Sequence, residues 1–319
     1  MSAADAGGAL RVAAGRVRTW SGRPPARALA FLAGMLPVAV AAVFVGLPIL
    51  LSALYTLGDT GGPNATVAEV AQHQVVAAAG LTLTGYQRLF ATPGFGHDLW
   101  VTAWITVLST VILLALAWVL SLYLRFSRGR VRAVVSTLYT VPMFVPVVIA
   151  SYALVSFWET NGKLAALLHA IGIGDAWLPG FTSGGVVLGL VWTNLPFAVI
   201  MIGSGLQAVP DALIEAARDV GARPWRVLLS VLVPLNRLPS IIVLTFTATG
   251  SLGSYTVPYL MGPNAPQMLG VAMTSAFQDY QEPQQAESMA MLVFLAAAGL
   301  SFLYVRANRR ELRRMAGKR

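Results

Sequence analysis

The chain has 319 residues, of which 56% are hydrophobic and only 11% charged, with a mean hydropathy of +0.69. A soluble domain carries about 25% charged residues, so the composition excludes a soluble enzyme, a disordered protein and a secreted disulfide scaffold, and leaves a polytopic membrane protein. The formal net charge is +9 and there is no cysteine, which removes disulfides, thiolate metal sites and Cys nucleophiles.

A spanning helix needs about 20 mostly apolar residues. Six stretches meet that requirement: 28–57, 99–124, 133–158, 184–209, 238–258 and 288–305. None contains Lys, Arg, Asp or Glu, each of which costs about 2.5–3.5 kcal/mol at the centre of a spanning helix. Residues 1–27 read as a tail rich in Ala, Gly and Arg. The apolar run that follows is too long for the h-region of a cleaved signal, so it is read as an uncleaved first span. The connection 58–98 opens with the turn-rich Gly58-Asp59-Thr60-Gly61-Gly62-Pro63, carries the chance-prone sequon Asn64-Ala65-Thr66, and predicts a short helix near 85–90 closed by Pro93-Gly94. Connection 159–183 is glycine-rich, and connection 259–287 holds Asp279, Glu282 and Glu287 with a short helix predicted over 268–280. Pro37, Pro48, Pro142, Pro146 and Pro196 fall inside spans and predict kinks.

The charges sort by side. Of 22 basic residues, all but Arg88 and Lys163 lie in the N-terminal tail, the second and fourth connections and the C-terminal tail 306–319. By the positive-inside rule both termini and these connections face the cytoplasm. An even number of spans agrees. The basic C-terminal tail is explained by orientation and contact with the lipid bilayer, without nucleic acid.

Several chemistries are missing. His73, His97 and His169 lie in connections, so Ser204, within Gly203-Ser204-Gly205, has no intramembrane base. No phosphate-cradling Gly-x-x-x-x-Gly-Lys-Ser/Thr occurs, and no intramembrane acid is available as a proton relay. The sequence names no catalytic residue, no metal ligand and no cofactor. A sodium-coupled secondary transporter, acting without an ATPase, stays open because carbonyls and hydroxyls can hold sodium. Hydroxyl-rich and aromatic positions mark a possible polar path: Tyr139, Tyr152, Trp192, Asn194, Thr245, Ser251 and Tyr255. The same residues also suit helix packing.

The fourth connection, about 210–235, stands apart. Pro210 ends the fourth span, Asp211 is expected as an N-cap, and 212–220 has strong helix formers. Gly221 is placed as the C′ residue that turns the chain, and Pro224 opens a second short helix that runs to Pro234. Leu213, Ala216, Ala217 and Val220 share one small apolar face, flanked by Glu215, Arg218 and Asp219. Such a loop reads either as a capped connection or as a docking element.

Glu215-Ala216-Ala217, then Gly221, then a run ending in Val231-Leu232-Val233-Pro234, resembles the EAA loop of binding-protein-dependent ABC importer permeases. Valines stand at Val231 and Val233 where the family pattern has Ile and Leu. The resemblance covers residues 80–306. It implies an all-α, MetI-like (type I importer) permease with six transmembrane helices over 28–305, in a bacterial inner membrane. It implies that the chain is not itself an enzyme. ATP would be hydrolysed by a separate ABC ATPase, as a homodimer, in whose cleft Glu215, Ala216, Ala217, Arg218, Asp219 and Gly221 would dock. It implies a second permease subunit, self or sister, and an extracytoplasmic substrate-binding protein. The Glu215–Trp225 form of the loop, and the stretch Leu252 to Pro258, look most like the spermidine/putrescine branch, which makes a polyamine the expected cargo and iron or thiamine the alternatives.

Overall fold

The computed structural model describes residues 26–78, 80–172, 178–264 and 266–316. The expected N-terminal tail lies outside the described residues up to residue 25, as do Lys318 and Arg319. All regular structure among the described residues is helical.

The chain divides into two units, Met1–Leu51 and Ser52–Arg319. The first holds α1 (Ala26–Ala41), a π-helical turn (Ala42–Gly46) and the start of α2 (Leu47–Thr56). Pro37 is accommodated inside α1. The π turn ends two residues before Pro48, which has no N–H to continue an α-helical ladder, so the ladder widens ahead of it.

The second unit begins with α3 (Ala65–Glu69) and α4 (Thr84–Ala91), the latter matching the helix expected near 85–90. At its centre, α5 (Phe95–Phe126) packs along α9 (Ser183–Gln207). Ala117 of α5 and Ala198 of α9 are fully buried. In a membrane, lipid tails are as apolar as Leu, so close backbone approach and dispersion hold helices together, and small residues permit that approach. Ile105, Leu113, Ile202 and Leu206 fill the space around them. Pro196 sits inside α9 without ending it.

Among the described residues, four helices are long and apolar enough to cross a membrane: Gly34–Thr56, Phe95–Phe126, Ser183–Gln207 and Pro283–Arg306. Two bent pairs raise the count to six if each is one span. In the first pair, α6 (Arg130–Thr140) and a 3-10 turn (Val141–Phe144) meet α7 (Val147–Trp158), followed by α8 (Lys163–Ala170), at 114°. Pro142 and Pro146 remove two donors, and Val145, which precedes a proline, is extended at φ −97° and ψ 120°. The third span, expected as one helix over 133–158, is thus broken in two.

The second pair differs from expectation as well. After the elbow described below, α13 (Arg237–Leu252) leaves at 68° and ends at Gly253, and a separate α14 (Thr256–Met261) follows. The single helix expected over 238–258 therefore stops six residues early. Then α15 (Leu269–Gln278) matches the short helix expected over 268–280, and α16 (Pro283–Ala316) closes the fold. Because α16 starts a full turn before 288, it carries Glu287 into the last candidate span, where its carboxylate accepts a 2.7 Å hydrogen bond from Ser52. The helices run past the charge-free stretches at their ends, so the candidate spans Phe95–Phe126 and Pro283–Arg306 also contain Asp98, Arg125, Glu287 and Arg306.

Candidate functional site

The connection between α9 and α13 builds a helical elbow from local rules. Pro210 is extended (φ −61°, ψ 136°) and ends the preceding helix. Next comes α10 (Asp211–Asp219). Its C-terminus closes as a Schellman motif: Gly221 N–H donates to Arg218 O at 2.8 Å and Ala222 N–H to Ala217 O at 3.1 Å. Gly221 has φ +79°, and a Cβ there would meet nothing within 4 Å. Glycine is needed for its backbone conformation, not for space. Arg223 is extended, Pro224 takes the first position of α11 (Pro224–Val227), and a π turn (Leu228–Leu232) leads into α12 (Val233–Leu235). As at Pro48, the π turn ends two residues before a proline, Pro234.

Two side chains anchor the elbow, one at each end. At its start, Arg125 from the last turn of α5 spans two elements with one nitrogen. Its Nη2 donates to Val209 O at 2.9 Å and to the Asp211 carboxylate at 2.5 Å. The N-cap expected at Asp211 is therefore not formed; Pro210 holds the cap position and Asp211 is the first helical residue, its carboxylate given to Arg125. At its end, Asn236 is completely buried and its Nδ2 donates to Ile202 O at 3.1 Å. Asn236 O accepts from Ser240 Oγ at 3.0 Å, and Ser240 Oγ accepts from Trp118 Nε1 at 3.1 Å. A Cβ on Gly205 would overlap the Asn236 side chain and Pro239, so α9 approaches the elbow closely only because Gly205 has none. Sequence reading missed both anchors. Arg125 counts there as one orientation charge among many. Asn236 gives a fainter signal, as a lone amide at the edge of an apolar run.

Between the anchors α10 stands exposed. Ile214 is buried and Ala217 half-buried against the core, alongside Ala222. Leu213, Ala216 and Val220 face outward, Val220 at 84% exposure. The apolar face expected from spacing is thus divided. Ala217, with Ala222, forms the hydrophobic contact of the Schellman turn, and the other three residues stay uncovered. Glu215, Arg218 and Asp219 are exposed, and their side chains make no hydrogen bond or ion pair among the described residues.

The polar-path residues fall on several elements. Tyr139 is half-buried and lines a cavity of about 250 Å³ near the base of α5. Tyr152 is exposed on α7. Trp192 and Asn194 are half-buried on α9, Asn194 Nδ2 donating to Leu190 O at 2.8 Å. Thr245 and Ser251 are buried on α13, and Tyr255 stacks on Tyr259 at 5.0 Å. Thr245 and Ser251 are covered by the chain's own helices.

Comparison with known proteins agrees with this architecture. The chain is 26% identical over 230 residues to the spermidine/putrescine transport system permease protein PotB of Escherichia coli, covering 72% of this chain and 83% of that one. It is 25% identical over 195 residues to the molybdenum transport system permease protein ModB of Azotobacter vinelandii, covering 60% and 85%. Its fold resembles a chain in the crystal structure of a bacterial ABC transporter involved in the import of the acidic polysaccharide alginate, with a TM-score of 0.68 at 16% identity, covering 89% of this chain and 96% of that one. The inner membrane component of binding-protein-dependent transport systems matches residues 114–315, a stretch that contains the whole elbow and both of its anchors. This chain belongs to that family: it is a multi-pass inner-membrane permease subunit of an ABC importer, with a MetI-like helical fold.

Proposed function

We propose that the chain forms one half of a translocation pathway and that its elbow is the coupling element to a separate ATP-hydrolysing subunit. The observation that carries this reading is the elbow as a whole: Arg125 fastens its start and Asn236 its end, while the outer surface of α10 between them, with Glu215, Ala216, Arg218 and Asp219, is exposed and its charged side chains make no bond among the described residues. In this reading the elbow and both termini face the cytoplasm, as the distribution of basic residues requires. Closure of a pair of ATPase subunits would push α10. The two anchors would pass that displacement to α5, α9 and α13, which pack together as one body.

A second permease chain would complete the pathway, and a binding protein would deliver cargo from the opposite face. The cargo is a small polar solute. A polyamine is favoured, supported by the likeness to PotB and by aromatic residues such as Tyr152, Trp192 and Tyr255 whose faces suit cations.

The test is affinity purification of the tagged chain from mild detergent. An ABC ATPase and a second permease are expected to co-purify, and Glu215→Lys is expected to lose the ATPase while keeping the permease partner. Recovery of the wild-type chain alone, or full uptake by the Glu215→Lys variant, would overturn the reading.

A further inference from the structure

The cavity of about 250 Å³ between α5, α6 and α9 is not needed by the coupling elbow. Its polar lining comprises Ser121, Arg125, Tyr139, Ser204 and Gln207, with Gly203 in its wall and no Asp or Glu among the lining residues. The hydroxyl protons of Ser121 and Ser204 are already committed to Val199 O at 3.1 Å and Met201 O at 2.8 Å. The donors left over belong to Arg125, Tyr139 and Gln207.

Arg125 dominates this set. Its side chain is only 15% exposed, and a guanidinium offers five N–H donors. Nη2 serves Val209 and Asp211. Nε and Nη1 have no partner among the described residues. A nearly buried cation with unused forked donors is incompletely satisfied, and a bidentate oxyanion matches that fork. The surroundings reinforce the choice of sign. Arg128, Arg130 and Arg132 follow within one connection, and Arg132 Nε donates at 3.0 Å to the carbonyl of Leu124, which lines the same cavity. Such a cluster raises the local concentration of anions.

We infer that this cavity binds a phosphate group, with Arg125 as its charged ligand and Tyr139 and Gln207 as neutral donors. Because Nη2 of the same guanidinium holds Asp211, the bound phosphate stands one side chain away from the first residue of α10. The site itself goes beyond the coupling reading; its influence on α10 rests on that reading. The phosphate has two sources, a free ion or the headgroup of an anionic lipid, and the experiment separates them.

The test uses the full chain in phosphatidylcholine nanodiscs and follows its thermal unfolding midpoint. One arm titrates inorganic phosphate against chloride at constant ionic strength. The other replaces part of the phosphatidylcholine with phosphatidylglycerol. A saturable upward shift is expected in at least one arm; the phosphate arm alone identifies the free ion, and the lipid arm alone the headgroup. Phosphate also stabilises proteins by exclusion from their surface, so the decisive comparison is Gly203→Leu. A Cβ at Gly203 meets nothing nearer than Ser121 Oγ at 3.8 Å, which leaves room for the side chain to fill the cavity. The shift is expected to vanish in Gly203→Leu. If that variant does not fold, Tyr139→Phe is expected to raise the half-saturating concentration several-fold. No shift in either arm, or a shift unchanged by these substitutions, would overturn the site. ATPase association, measured on the same samples without phosphate, reports separately on the coupling reading.

Discussion

Two regions of the second unit are tied down by side-chain hydrogen bonds, and they end in opposite states. One is the connection ahead of α4, fastened to the start of α16. There Gln284 is 4% exposed, donates to Tyr55 O and Val75 O at 2.9 Å each, and accepts from Val75 N at 2.7 Å. Gln72 and Gln281 pair beside it through both backbone and side chains. The other is the elbow, where Arg125 and Asn236 fasten the ends and leave α10 uncovered. In the first region Gln284, Gln72 and Gln281 use their amides within the chain, which fastens the connection. In the second the anchors flank a helix whose Glu215, Arg218 and Asp219 side chains make no bond among the described residues. Anchoring alone therefore does not distinguish the two regions; the elbow differs in carrying an exposed helix between its anchors.

The largest effect should come from Gln284→Leu. It strands a backbone N–H and two carbonyls, at about 1–3 kcal/mol for each buried unsatisfied group. A lowered unfolding midpoint is expected, with ATPase co-purification intact in the surviving fraction. Loss of the ATPase at unchanged stability would reverse the contrast between the regions. Asn236→Leu comes next, at about 1–3 kcal/mol for the loss of the buried donor to Ile202 O. This change is expected to lower both stability and the number of solute molecules moved per ATP, because it frees the end of the elbow.

Gly221→Ala should cost about 1 kcal/mol, the strain of a left-handed residue bearing a Cβ. Gly221→Asn should recover part of it, since Asn tolerates this conformation. Equal losses for both would point to crowding by a partner instead of backbone strain. A double-mutant cycle on Arg125→Gln and Asp211→Asn should give a coupling energy of about 0.2–1 kcal/mol, because the carboxylate is largely in solvent. Glu215→Lys should change stability least, within about 0.5 kcal/mol, while removing ATPase association. That separation of stability from association is the sharpest form of the comparison, and equal changes in both would dissolve it.

Much of this molecule is local and could be read in one dimension. Apolar runs without charge demand membrane helices, because an unpaired charge in hydrocarbon costs several kcal/mol wherever it falls. The turn at Gly221 and the start at Pro224 follow from backbone conformations that few residues adopt, and the helix expected over 212–220, found at Asp211–Asp219, from its strong helix formers. For these the sequence was sufficient.

The rest depends on partners distant in the chain. Asp211 has the chemistry of an N-cap, yet Arg125, 86 residues earlier, takes its carboxylate. Ala217 has the spacing of the exposed face, yet it turns inward with Ala222. Pro196 and Pro142 look alike in a hydrophobic run, yet one is held within a continuous helix and the other lies at a 114° bend. Charge, apolarity and turn geometry belong to single residues and their near neighbours, so the sequence by itself determined the membrane class, the charge asymmetry and the elbow. The choice among competing hydrogen-bond partners, and the fate of each proline, depends on which helix lies alongside, and only the tertiary structure decided those.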